Sequence, residues 1–316
     1  MKKDFLVGYT GFVGSNLAAK HSFSGNFNSK NISDAFGEHP NLLVYAGVPA
    51  EMYLANQDPE ADQQAILSAE KNIQLIAPKQ IILISTIAVY PDTQGADEDT
   101  VIEVDRLSPY GTNRHALEVW VEEHFENSLI VRLPALYGIN LKKNFLYDYI
   151  HIIPSVLTEA KLKELSVQEP ALLEYYISQG NGFFRCKKLD QSEEAALKMY
   201  FKALGFSALN FTDSRSKYQF YPLDRLWGHL EAAMQQGLHK LNITTAPIEI
   251  AELYAYLDGN SFYNKLNKPL FDYNLRSKYV YLIGGSNGYL MKKDEVLADI
   301  FAYIQREQKL LRGEFI

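Results

Sequence analysis

The sequence predicts an α/β protein: a doubly wound, mostly parallel sheet followed by a smaller, mostly helical C-terminal region. Three observations predict it. Short continuous apolar runs, such as Gln80-Ile-Ile-Leu-Ile-Ser85 and Leu129-Ile-Val-Arg-Leu133, lack the alternation of a half-exposed strand and fit a sheet covered on both faces. Amphipathic stretches separate those runs, as strand–helix–strand units require. The chain begins with the apolar run Phe5-Leu-Val, three glycines at Gly8, Gly11 and Gly14, and a segment with helical apolar spacing.

Each element follows in order. Gly8-x-x-Gly11-x-x-Gly14 reads as a tight turn between strand and helix, of the kind that seats a dinucleotide pyrophosphate. Gly8 permits the turn, Gly11 lets backbone amides approach phosphate, and Gly14 lets the helix lie against the strand. A second strand is expected near Asn26–Ser29. A nicotinamide-binding sheet usually ends this strand with an acid for the adenosine ribose diol. Here Asn28-Ser29-Lys30-Asn31 stands instead, and a hydroxyl with a lysine suits a ribose 2′-phosphate, so NADP is slightly favoured over NAD. Asn41–Ala50 holds the next buried strand, closed by Ala46 and Gly47. About ten residues separate it from the second strand, too few for a full crossover, so one sheet element is reduced or missing. Asp58-Pro59 caps a helix to about Ile76.

Candidate chemistry follows the Gln80–Ser85 strand. Ser85-Thr86-Ile-Ala-Val-Tyr90 ends it with two hydroxyls, and Ser108-Pro109-Tyr110-Gly-Thr-Asn-Arg114 opens a helix to about Phe125. Tyr110 and Arg114, four residues apart, share one helix face. Leu129–Gly138 is a further buried strand with a proline stop at Pro134. Beyond Gly138, Lys142-Lys143-Asn144 forms a polar cluster, residues 145–204 carry helical spacing, and a last helix runs from about Lys293 to Gln308, with Asp294 and Glu295 in its first turn.

Together these motifs resemble the extended short-chain dehydrogenase/reductase family, which contains nucleotide-sugar epimerases, dehydratases and reductases. The counterparts are the glycine turn, Ser85-Thr86-x-x-Val89-Tyr90, Pro109-Tyr110-x-x-x-Arg114 and Arg132-x-x-x-x-x-Gly138. Tyr218–Asp224 and Leu241-Asn-Ile-Thr244 are looser echoes. The resemblance implies a Rossmann-type NAD(P)-binding domain over residues 1–138, joined by a strand and helix near 205–235, with 139–204 and 236–316 binding substrate. It implies Tyr110 as acid/base, Thr86 as hydroxyl partner of the reacting oxygen, and Arg114 where the family places lysine. Gly8, Thr10, Gly11, Phe12, Val13, Gly14, Ser29, Lys30, Ala46, Gly47, Tyr110 and Arg114 would hold the cofactor. Lys142, Lys143, Asn144, Arg215 and Lys217 would contact a sugar or nucleotide-sugar substrate. The Arg114 cation is expected to lower the Tyr110 pKa, although burial opposes ionisation. Arginine for lysine is not a conservative change. It leaves two readings: a sugar epimerase or reductase, or a cofactor-binding sensor that has lost catalysis. Ile87 and Ala88 replace the Asp-Glu pair of the family's dehydratases, which argues against dehydration.

Composition limits the alternatives. The 316 residues, 47% hydrophobic and 22% charged, suit an ordinary globular protein with a full core. A net charge of −7 argues against nucleic-acid or anionic-membrane partners. Cys186 is the one cysteine, which fits a reducing cytoplasm. Lys2 and Lys3 before Phe5-Leu-Val imitate a leader, but the run breaks at Gly8. The histidines show no metal spacing, and Ser85 lacks a nucleophile elbow. A homodimer is an expected assembly.

Overall fold

The computed structural model describes residues 3–313; Lys2 of the leader-like start lies outside them. Six strands form the main sheet: β1 (Asp4–Val7), β2 (Gly25–Phe27), β3 (Leu42–Tyr45), β4 (Ile81–Thr86), β5 (Ser128–Leu133) and β6 (Lys240–Asn242). Their order is β6-β5-β4-β3-β1-β2, and every neighbouring pair is parallel. The chain passes from β2 to β3 through a short 3-10 turn, Ile32–Ala35, so β3 pairs directly with β1 on the side away from β2. That is the reduced crossover the spacing predicts. The strand order reverses between β1 and β3, and in open α/β sheets ligands bind outside the carboxyl ends at such a switch point.

Alternation along the strands sends side chains to two cores. Leu6, Val44, Ile82, Leu129 and Val131 pack with Leu17 of α1 (Phe12–Lys20) and with Trp227 and Leu230 of the helix Leu226–Gln235. Phe5, Val7, Leu43, Tyr45, Ile81 and Leu83 pack with Ile66, Ile73 and Ile76 of α3 (Pro59–Ile76) and Leu117 and Val121 of α4 (Pro109–His124). Fully burying each such aliphatic side chain contributes about 1.5–3 kcal/mol. A six-residue helix, α2 (Met52–Gln57), precedes α3. Both long helices start on caps legible in the sequence: Asp58 accepts from Ala61 N, Ser108 accepts from Gly111 N, and each is followed by proline.

The chain divides into two compact units. The first holds the residues up to Leu141 together with 217–253 and 271–300; the second holds 142–216, 254–270 and the chain from Phe301 on. This corrects the expected division. Most of 236–300 joins the first unit rather than the second, because β6 extends the main sheet beside β5 and Val280, Ile283 and Leu290 fill the core around Leu226 and Trp227. The return to the first unit begins at Lys217, not near 205. The second unit contains the expected helices, Phe145–His151, Glu159–Ser166 and Gln191–Ala203. It also contains an antiparallel sheet of Val156–Thr158, Phe183–Cys186 and Tyr176–Ser178, which the sequence reading lacked. Leu157, Leu162, Tyr176, Leu197 and Phe201 form its core.

Candidate active site

The carboxyl end of β1 runs into the glycine turn. Gly8 N donates to Phe27 O at 2.7 Å and Ala46 N donates to Val7 O at 2.9 Å, so the turn is fixed from both sides of the switch point. Gly8 has φ +89°, and a Cβ there would lie 2.3 Å from Ala46 O. A Cβ on Gly14 would lie 2.1 Å from Gly8 O, so α1 can approach the strand only through glycine at this position. Gly11 differs: its nearest obstacle to a Cβ is Gly8 O at 3.2 Å, and its outer side is exposed, as is Thr10. The α1 N-terminus has no side-chain cap and no acid in its first turn, while Phe12 and Val13 pack inward on the core. The first-turn amides are thus left to meet an anion, which the helix dipole favours. This cradle fits a pyrophosphate.

At the end of β2, Asn31 Oδ1 accepts from Asn28 N, Asn28 Oδ1 accepts from Lys30 N, and Asn31 Nδ2 donates to Asn26 O. The two asparagine side chains build the turn and present Ser29 and Lys30 to solvent at its tip. At the end of β3, Ala46 is half-buried and Gly47 is exposed.

The remaining functional groups converge after β4. Thr86 caps a 3-10 turn, its hydroxyl accepting from Ala88 N at 3.1 Å. The start of α4 rests on that turn so closely that a Cβ on Gly111 would lie 2.4 Å from Ala88 O. This packing brings the Tyr110 phenol into a hydrogen bond with Thr86. The Asn56 side-chain oxygen accepts from Tyr110 N at 3.0 Å. Arg114 lies over the Tyr110 ring, its guanidinium carbon 4.3 Å from the centroid, as their shared helix face predicts. Arg114 is 5% exposed and forms a two-pronged ion pair with Asp62 of α3, at 2.8 and 2.9 Å. A further N–H donates to Pro49 O at 2.6 Å, two residues beyond Gly47. Asn113 Nδ2 also donates to Asp62, at 2.9 Å.

This geometry corrects one expectation. Burial pushes the Tyr110 pKa above its ordinary value of 10.0, outweighing the Arg114 charge and the Thr86 and Arg114 hydrogen bonds, while Asp62 acts with burial. The phenol is therefore the stable form at neutral pH. Asp62 is held below the ordinary carboxylate range: burial opposes this, but hydrogen bonds from Arg114 and Asn113 and the Arg114 charge prevail.

The glycine turn after β1 and the threonine–tyrosine–cation cluster after β4 thus flank the carboxyl end of β3, which lies between those two strands. The sequence model of the NAD dependent epimerase/dehydratase family matches residues 27–176. Over that segment the chain is similar to the NAD dependent epimerase/dehydratase family. The match begins after the glycine turn, so that turn rests on its own geometry. Among solved structures, UDP-glucose 4-epimerase from Thermotoga maritima, with UDP-glucose, superposes with a TM-score of 0.64 at 14% identity, covering 97% of this chain and 99% of that one. The dTDP-4-dehydrorhamnose reductase of Yersinia enterocolitica gives 0.62 at 11% identity, over 96% and 99%. That of Bacillus anthracis, in complex with NADP, gives 0.59 at 14% identity, over 96% and 99%. No curated protein sequence matches the chain.

The candidate substrate residues are more dispersed. In the second unit, Asn144 Oδ1 caps the helix Phe145–His151 by accepting from Leu146 N and Tyr147 N, next to exposed Lys142 and Lys143. Arg215 pairs with Asp213 in that unit, at 2.8 Å. Lys217 belongs to the first unit and lies 3.4 Å from Asp272. Among the described residues no helix is long and apolar enough to cross a membrane, and no group of three His, Cys, Asp or Glu is placed to hold a metal.

Two residues central to the site escaped the sequence reading. Asp62 signals only a favourable first-turn acid, and its partner Arg114 is 52 residues away. Asn16, buried in α1, donates to Ile139 O and accepts from Ile139 N, tying the glycine-turn helix to the segment after Gly138.

Proposed function

We propose that this protein is an NAD(P)-dependent oxidoreductase or epimerase acting on a nucleotide-activated or related sugar. The reading rests on one observation above all: Thr86, Tyr110 and Arg114 meet beside the β3 exit, while the glycine turn fixes the other side of that exit. When bound, the nicotinamide supplies or accepts the hydride. Thr86 orients the reacting oxygen, and Tyr110 passes a proton to or from it. The amides of Phe12, Val13 and Gly14 hold pyrophosphate, Ser29 and Lys30 face the ribose phosphate of NADP, and Ala46 and Gly47 border the dinucleotide. Lys142, Lys143, Asn144, Arg215 and Lys217 are the proposed substrate contacts. Cytoplasmic residence and a homodimer complete the proposal.

A second reading, a cofactor-binding sensor, is favoured by the engagement of Arg114 with Asp62, because the family's lysine instead contacts the nicotinamide ribose. Calorimetry with NADPH and NADH, followed by turnover assays with UDP-hexoses and dTDP-4-dehydro sugars, separates the two. Cofactor binding with substrate-dependent NADPH consumption or sugar interconversion supports the enzyme. Binding with no hydride exchange supports the sensor, and failure to bind either dinucleotide contradicts both.

A further inference from the structure

The pair Asp62–Arg114 is almost fully buried beside Tyr110. An arginine has five N–H donors. Two engage Asp62 and a third engages Pro49 O, which leaves Nε–H and one terminal N–H uncommitted by these contacts. These bonds hold the guanidinium over Tyr110, its carbon 4.3 Å from the ring centroid. Asn113 adds a fourth hydrogen bond to the pair and donates as well to Pro59 O, fastening α4 to the start of α3. Asp62 sits in the first turn of α3, where a helix favours negative charge.

We propose that Asp62 is a positioning residue: its two-pronged ion pair holds Arg114 over the Tyr110 ring and offsets part of its charge, so that Tyr110 keeps the proton it passes to the substrate oxygen. This rests on the function proposed above and is stated for its ketone-reducing step. In that step the Tyr110 O–H bond breaks and its proton goes to the carbonyl oxygen. A C–H bond forms at the carbonyl carbon, with hydride from the dihydronicotinamide, which is oxidised as the carbonyl is reduced. The tyrosinate then takes a proton from solvent. The charged and polar groups facing Tyr110 agree with a donor. Arg114 from its own helix favours the phenolate and Thr86 from β4 stabilises it, whereas Asp62 from α3 and burial oppose it, and the opposition prevails.

The test is the ionisation of Tyr110, read by NMR on protein labelled with 13C at the tyrosine ring carbon that bears oxygen, with the signal assigned by Tyr110→Phe. Wild-type Tyr110 is expected to stay protonated beyond pH 10. In Asp62→Asn its midpoint should fall by about one pH unit. The high-pH loss of keto-sugar reduction should move down with it. An unchanged midpoint overturns the proposal. Should Asp62→Asn fail to fold, Arg114→Lys is compared with Arg114→Lys/Asp62→Asn, which restores the cation of the family pattern without its acidic partner. The double variant should titrate about one unit below the single, and equal midpoints overturn the proposal. Calorimetry with NADPH on the wild type keeps the outcomes apart: absent binding defeats the proposed function, while the Tyr110 titration still judges Asp62.

Discussion

Two arginine–carboxylate–tyrosine groups lie on either side of the β4 exit, and their difference separates architecture from chemistry. In one, Arg132 is 2% exposed and holds Glu118 through Nε and a terminal nitrogen, with its guanidinium carbon 4.9 Å from the Tyr90 ring centroid. Ser85 donates to the same Glu118. The Tyr90 hydroxyl is shared among Arg132, Asn242 and Asp97 O, so each polar group answers another inside the fold. In the other, Arg114 covers Tyr110 from a similar distance and Asp62 takes the place of Glu118. There the phenol's hydrogen-bonding neighbours are Thr86 and Arg114. The same three residue types make a closed brace in one place and, on the function proposed above, a proton-handling site in the other. Whether the tyrosine oxygen is fully engaged within the fold decides which.

Breaking the closed brace should have the largest effect. Glu118→Ala strands the Arg132 charge in a dry core, which typically costs about 3–5 kcal/mol. Chemical denaturation should show a loss of that size; a loss below about 1 kcal/mol would mean the network is not closed. Gly14→Ala tests the floor beneath the open site. Its Cβ would meet Gly8 O at 2.1 Å, so the turn must shift. Overpacking of this kind costs about 1–3 kcal/mol. Gly11→Val, whose Cβ meets nothing nearer than 3.2 Å, should leave the melting temperature close to wild type yet weaken NADPH binding at least tenfold, about 1.4 kcal/mol. Equal behaviour of the two glycine variants would contradict the separate roles assigned to them.

A carboxylate without an arginine sharpens the contrast. Asp148, in the second unit, is half-buried, and burial pushes its pKa up to about 7. The unfolded chain titrates near 3.9, about three units lower. Between these values the folded state binds the proton more tightly, so stability from this group is present at low pH and is lost as pH rises through 7. Asp148→Asn, which mimics the protonated form, should therefore melt above wild type at pH 8 and near it at pH 4. Parallel melting curves at both pH values would rule this out. The smallest effect is expected at Lys30, because it is exposed and screened. Lys30→Ala should reduce the preference for NADPH over NADH several-fold at low salt and less at high salt. A preference that is independent of salt would point to another phosphate contact.

Much of the site was legible where function imposes local pattern. The roles of Gly8 and Gly14 follow from a turn only glycine can make, and Tyr110 and Arg114 share a face because they are four apart on one helix. The α3 cap at Asp58-Pro59 was equally plain. What was hidden depends on contacts distant in sequence. Asp62 meets Arg114 across 52 residues, and Asn16 meets Ile139 across 123. The small sheet at Val156–Thr158, Tyr176–Ser178 and Phe183–Cys186 was missed because strands of three or four residues are too short for periodicity to distinguish from helix or loop. The position of 236–300 was misassigned because β6 is three residues long, and only its place beside β5 makes it part of the sheet.

The central claim is that Tyr110 carries the proton while its neighbours only position it, and one substitution reaches it directly. Tyr110→Phe removes the hydroxyl and leaves the ring beneath Arg114. Calorimetry and turnover should be measured on the same preparation, with the sugar nucleotide that the wild type converts. The account predicts NADPH affinity within about threefold of wild type, under 1 kcal/mol, and turnover reduced by about 10²–10⁴-fold, the range typical of a lost general acid. Turnover retained in the Tyr110→Phe protein would contradict it.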